Sequence, residues 1–157
     1  MSPDWNTDWV IEAPHSRSKV QVRDALISLG LEVAFDLDVA KLLERRTGVR
    51  LSRITVLGVC CPFQLLEGVV AAPASALLQP LHVVIAEMHG LTHISVLSVA
   101  ALRASGVTPD TAIPLHRTIV RVTDALESAG ARRTNLSGDL AWPSDSPIQC
   151  KIEGVSR

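Results

Sequence analysis

Apolar residues recur along the chain in two periods, close to two and close to 3.6, and the switches between them predict a run of short strands and helices. Residues 8–13 fit a first strand, and Pro14, with no backbone N–H for a ladder, ends it. Ser18 with Gln21 fits a capping box. Val22, Leu26 and Leu29 follow at helical spacing, and Gly30 supplies a left-handed stop. Residues 31–37 alternate as a second strand. Residues 39–46 read as a short helix with Leu42 and Leu43 inward and Lys41, Glu44, Arg45 and Arg46 mostly outward. Residues 52–60 form a β-branched, apolar run that suits a central strand. Pro62 then fits the first position of a helix, with Leu65, Leu66, Val69 and Val70 as its buried stripe and Pro73 as its end.

Residues 81–87 and 91–98 read as two strands of a hairpin around Met88, His89 and Gly90. Residues 104–113, rich in Gly, Pro, Thr and Ser, read as a linker. Pro114 opens a last helix carrying Ile119, Val122, Leu126 and Ala129, with Gly130 at its end. The order predicts a single α+β domain: a mostly antiparallel sheet of about five strands with helices packed on one face. A sheet face left uncovered and apolar finds a partner, which points to a homodimer. The domain spans residues 1–133, with its core from about residue 8. Residues 134–157, which include Trp142, Pro143 and Pro147, form a polar C-terminal extension.

Composition narrows the function classes. The chain has 157 residues, enough for one domain. It is 47% hydrophobic but only 3% aromatic, with no Tyr, so the core must be aliphatic. The net charge of −1 leaves no basic surplus for phosphates, and few rings are present for stacking bases, so no nucleic acid is expected as partner. Residues 68–86 carry no formal charge, but Pro73, Gln79, Pro80 and His82 interrupt them, so no membrane span is expected. No secretory signal is read at residues 1–10. Three cysteines without regular spacing argue against a disulfide scaffold and for a reducing, cytoplasmic setting.

Several segments resemble a bacterial family known as domain of unknown function 302. Val56-Leu57-Gly58-Val59-Cys60-Cys61-Pro62 resembles its strand-to-helix corner, where Ile-Leu-Gly leads into Cys-Asn-Pro. Gly30-Leu31-Glu32-Val33 with Asp36-Leu37-Asp38-Val39 resembles a second stretch. Leu77-Leu78-Gln79-Pro80 with Val83-Val84-Ile85-Ala86-Glu87 resembles its following strand. The resemblance covers roughly residues 8–133. It implies an antiparallel α+β arrangement and a tendency to dimerise, and it brings no agreed activity. Cys61 stands here where the family has Asn, and Leu81 where a Cys follows the strand's Pro.

Candidate chemistry centres on the corner at Cys60 and Cys61. Exposed N–H groups and the dipole of the following helix lower a thiol pKa there, so a functional Cys60 should titrate below about 8.5. The plain alternative is that both are small buried residues at a tight turn. Glu87, at a strand end placed beside that corner, is a candidate acid or base, or else a solvated hairpin residue. Cys60 and Glu87 are therefore the catalytic candidates. Cys61, His82 and His93 are the ligand-binding candidates. His82 and Glu87 fall on opposite faces of one strand, whereas His93 shares a face with Ser95. Cys60, Cys61, His82, His89 and His93 include ligand types for a soft metal or haem, but no two show zinc-motif spacing, so no metal and no cofactor is expected. His15 and Ser16 precede the first helix, and no nucleophile elbow or phosphate loop accompanies them.

Three functions remain open. One is a dimer that binds a small apolar ligand in a pocket between sheet and helices. Another is a small cofactor-independent enzyme of isomerase or cyclase type, with Cys60 or Glu87 as acid–base. The third is a thiol-based handler of metal or haem.

Overall fold

The computed structural model describes residues 4–134. Six strands form one sheet, β1 (Asn6–Ile11), β2 (Glu32–Asp38), β3 (Ile54–Cys60), β4 (Leu81–Met88), β5 (Leu91–Leu97) and β6 (Arg132–Thr134), in the order β2-β3-β4-β5-β1-β6. Every neighbouring pair is antiparallel. The helices are α1 (His15–Ser28), α2 (Val39–Thr47), α3 (Pro62–Ala71), α4 (Val99–Ala104) and α5 (Pro109–Ser128), with a 3-10 turn at Pro73–Leu77. The chain is thus a single α+β domain with helices packed on an antiparallel sheet, one strand and one helix richer than the pattern predicts. The missed strand, β6, is three polar residues with no alternation to read.

Helices α1 and α5 lie on the sheet and against each other, and α3 and α4 pack on α5. Strand alternation sends Leu57 and Val59, Leu81, Val83 and Ile85, and Ile94 and Val96 to that side. They meet Val22 and Leu26 of α1 and Leu115, Ile119, Val122 and Leu126 of α5 in one core. Trp9 joins it at 1% exposure.

Four local expectations are corrected. Helix α1 starts at His15, before the proposed capping box, and the Ser18 hydroxyl donates to the Ala13 carbonyl instead. The hairpin closes with two residues, His89 and Gly90, both at positive φ (51° and 77°), the geometry whose twist suits paired strands. The expected linker holds the end of α4 and the start of α5. Thr108 and Pro109 begin α5, and Pro114 lies buried within it. On α3, Leu66 and Val70 are 60% and 76% exposed, so the inward line is not the expected stripe. Gly68 is the buried residue there, and a Cβ at that position would sit 3.0 Å from the Ser75 hydroxyl. The glycine lets the turn approach α3 closely. Beyond Thr134, the C-terminal extension with Trp142 lies outside the described residues.

Candidate functional site

Two surfaces flank the core: the sheet face turned away from α1 and α5, and a cleft between α1 and the β2–β3 edge. The pairing register lays out the first in rows. One row runs Leu37, Val56, Val84, Ser95, Asp8 and Thr134 across all six strands. The next runs Phe35, Gly58, His82, Leu97 and Asn6. A third runs Ile54, Ala86, His93, Val10 and Arg132. The half over β2 to β4 is therefore apolar, and the half over β5, β1 and β6 is mixed.

A β-bulge between Val33 and Phe35 decides what tops the apolar half. The extra residue, Ala34, flips the alternation, so Phe35 falls on this face. Its ring lies over Gly58, where any Cβ would overlap it. The ring also meets His82 edge-on, with centroids 5.7 Å apart at 62°. Beside this pair a groove of about 380 Å³ runs past Trp5, Leu78, Pro80, His82, Val84 and Leu97. On the mixed half, the Ser95 hydroxyl donates to Asp8 at 2.6 Å. His93 shares this face, as its alternation with Ser95 implies. Its Nδ1 is buried without a partner, and burial lowers its pKa, against the pull of Asp8.

The catalytic candidates are not brought together. Cys60 pairs with Glu32 at one end of β3, whereas the Glu87 amide donates to the Arg53 carbonyl at the other. About seven residues of strand, roughly 20 Å, separate them. Glu87 also follows Leu81, Val83 and Ile85 onto the helix side, while Cys60 follows Val56 and Gly58 onto the opposite one. The placement of Glu87 beside the Cys60 corner is thus corrected: β4 runs antiparallel to β3, so its end meets the start of β3. The thiol expectation is corrected as well. Burial pushes the Cys60 pKa up, and Glu32 and Cys61 push the same way. Cys61 occupies the N-cap of α3 and turns into the core, away from His82. Among the described residues no group of three or more His, Cys, Asp or Glu side chains could hold a metal ion.

In the sequence, His15 and Ser16 mark the second surface. A cleft of about 530 Å³ opens between α1 (His15, Lys19, Arg23) and the β2–β3 edge (Asp36 on β2, Thr55 on β3, and Arg53 just before β3). His15 is buried, with Nε2 3.2 Å from the Thr55 hydroxyl. Asp36 takes Lys19 at 2.8 Å and Arg23 at 3.3 Å, and the Asp38 side chain accepts from the Lys41 amide to cap α2. Elsewhere the layer between sheet and helices, expected to hold an apolar pocket, is filled by Trp9, Leu26, Leu57, Ile85, Ile94 and Leu115. Where sheet and helix do part, charged and hydroxyl side chains line the cleft beside Val20 and Ile54.

An antiparallel sheet backed on one side by helices, with an N-terminal strand inserted between β5 and β6, defines a single-sheet α+β domain. The profile of Domain of unknown function DUF302 matches residues 11–129, and the chain belongs to that family. Its fold is similar to the crystal structure of an uncharacterized conserved DUF302 protein from Bacillus stearothermophilus. That likeness has a TM-score of 0.72 at 15% identity and covers 80% of this chain and 98% of the other. No curated protein matches. Among the described residues no helix is long and apolar enough to cross a membrane.

Proposed function

We propose that this chain is a homodimeric small-molecule-binding domain whose working surface is the sheet face opposite the helices. The observation that carries this is the bulge-placed Phe35 over Gly58, set in an apolar half-face with Leu37, Val56 and Val84. Two copies stacked through that half would remove these side chains from water, at roughly 25 cal/mol per Å² of apolar area. The same patch on both copies makes a self-complementary contact. The groove along Pro80, His82 and Leu97 then takes a small, largely apolar ligand at the rim of the contact, where Trp5 and His82 supply the polar atoms. Two adjacent thiols, Cys60 and Cys61, both free, fit a reducing compartment such as the cytoplasm.

Light scattering and a fluorescent apolar probe test this together. At micromolar concentration the mass should be twice the chain's 16.9 kDa. Anilinonaphthalene sulfonate should bind with a saturable signal that Leu97→Lys removes without loss of fold. A monomer at every concentration, together with no saturable probe binding, overturns the reading.

A further inference from the structure

We propose that the cleft between α1 and the β2–β3 edge is a second binding site, one for a small oxyanion, a carboxylate or a phosphate, held by Arg53 and Lys19 against the His15–Thr55 pair. The cleft is the roomiest of those described above, and its inner wall is built from side chains that already have fixed positions. His15 is buried, and its Nε2 meets Thr55 Oγ1 at 3.2 Å. Thr55 is itself buried on the central strand β3. Arg53, one residue before that strand, is exposed and has no carboxylate within salt-bridge distance among the described residues. A guanidinium offers a planar fork suited to carboxylate and phosphate oxygens.

Among the side chains lining the cleft, the cations Lys19, Arg23 and Arg53 outnumber the carboxylates Asp36 and Asp38, which favours an anion over a cation. Burial chiefly holds the His15 pKa down; Arg53 and Lys19 add to that, and the hydrogen bond to the Ile85 backbone and Glu87, from β4, oppose it. Asp36 and Asp38 line the β2 side, but Asp38 is spent capping α2 and Asp36 is paired with Lys19 and Arg23. An arriving oxyanion meets an unpaired Arg53 and competes with Asp36 for Lys19. The Ser16 hydroxyl can donate to it, while the His15 ring, already engaged by the Ile85 backbone and by Thr55, senses the anion through its charge. Nothing here depends on the opposite sheet face, so the site stands or falls independently of the dimer.

Histidine-ring NMR on the full chain tests it, with inorganic phosphate, acetate and chloride titrated separately at constant ionic strength. Phosphate or acetate should shift the His15 ring saturably and raise its pKa, because a nearby anion favours the imidazolium. His82, His89, His93 and His116 should stay in place. Arg53→Gln should weaken the binding and Asp36→Asn, which frees Lys19, should tighten it, each roughly two- to fivefold as expected for exposed charge pairs. Response to phosphate alone would assign a phosphate site, and response to both a general oxyanion site. Equal shifts with chloride, shifts spread over all five histidines, or no change in either variant would overturn the proposal.

Discussion

The two faces of this sheet are made from alternate residues of the same strands, yet they differ in kind. On the helix side Leu57, Val59, Val83, Ile85 and Ile94 are wholly enclosed. On the other side Phe35, Leu37, Val56, Val84 and Leu97 remain partly or largely exposed, and His82, His93 and Ser95 stand among them. The first face is a finished core. The second carries apolar side chains, a ring laid over a glycine and unpartnered polar atoms, features that gain from a partner. Strand β3 holds both roles in one run: Leu57 and Val59 face inward, while Val56, Gly58 and Cys60 face outward. A short apolar strand therefore serves fold and surface at once, and only its partners across the register tell which residue does which.

The largest expected difference between the faces is in stability. Leu57→Ala should cost about 2–5 kcal/mol, because a fully enclosed leucine leaves a cavity. Val56→Ala, one residue along, should cost about 1 kcal/mol when both are measured by urea unfolding in a Val84→Lys background. Equal costs would erase the distinction.

A smaller effect concerns pH. Burial, Arg53 and Lys19 hold the His15 pKa below its ordinary value. The unfolded chain then binds a proton near pH 6.5, where folded His15 does not. Stability is thus full above about pH 6.5 and falls as pH drops below it toward the folded pKa. Urea midpoints measured across that window should fall more steeply for the wild type than for His15→Gln. Parallel slopes would mean that the wall around His15 is open to water.

Gly58→Ala should act on the outer face with little effect on the core. The added methyl takes the place of the Phe35 ring, which is free to swing toward solvent. The dimer should weaken several-fold, while the unfolding midpoint measured in the Val84→Lys background barely moves. The reverse result, an intact dimer with a large stability loss, would place Phe35 in the fold instead of the interface. Smallest is the response of the thiols. With Cys150 replaced by Ser, Cys60 and Cys61 should resist alkylation at pH 8 until denaturant is added, since burial raises the one and the core encloses the other.

Much of the inner face was legible in the sequence. Val22 and Leu26 on α1, the β-branched run of β3, and Ile119, Val122 and Leu126 on α5 carry periods that burial selects. The antiparallel hairpin was legible from its glycine. The outer face was less so. No periodicity announces that Ala34 is an extra residue, and without that bulge Phe35 cannot be assigned to a face. Glu87 looks like a neighbour of Cys60 in the sequence because strand ends look alike until their directions are known. His82 and His93 were assigned by alternation alone, and the register puts both on the outer face. The cleft beside α1 escaped because its walls come from α1, β2 and β3, and only His15 and Ser16 hinted at it.

A rival apolar surface exists on α3, where Phe63 is 80% exposed and Val70 76%. One paired measurement decides between the two. Sedimentation velocity at matched micromolar concentrations should be run on the wild type, on Val84→Lys at the centre of the outer face, and on Leu66→Lys on the α3 ridge, with circular dichroism to verify folding. The account predicts a dimeric wild type, a folded monomer for Val84→Lys, and an unchanged dimer for Leu66→Lys. A monomeric Leu66→Lys beside a dimeric Val84→Lys would contradict it and move the association surface to α3.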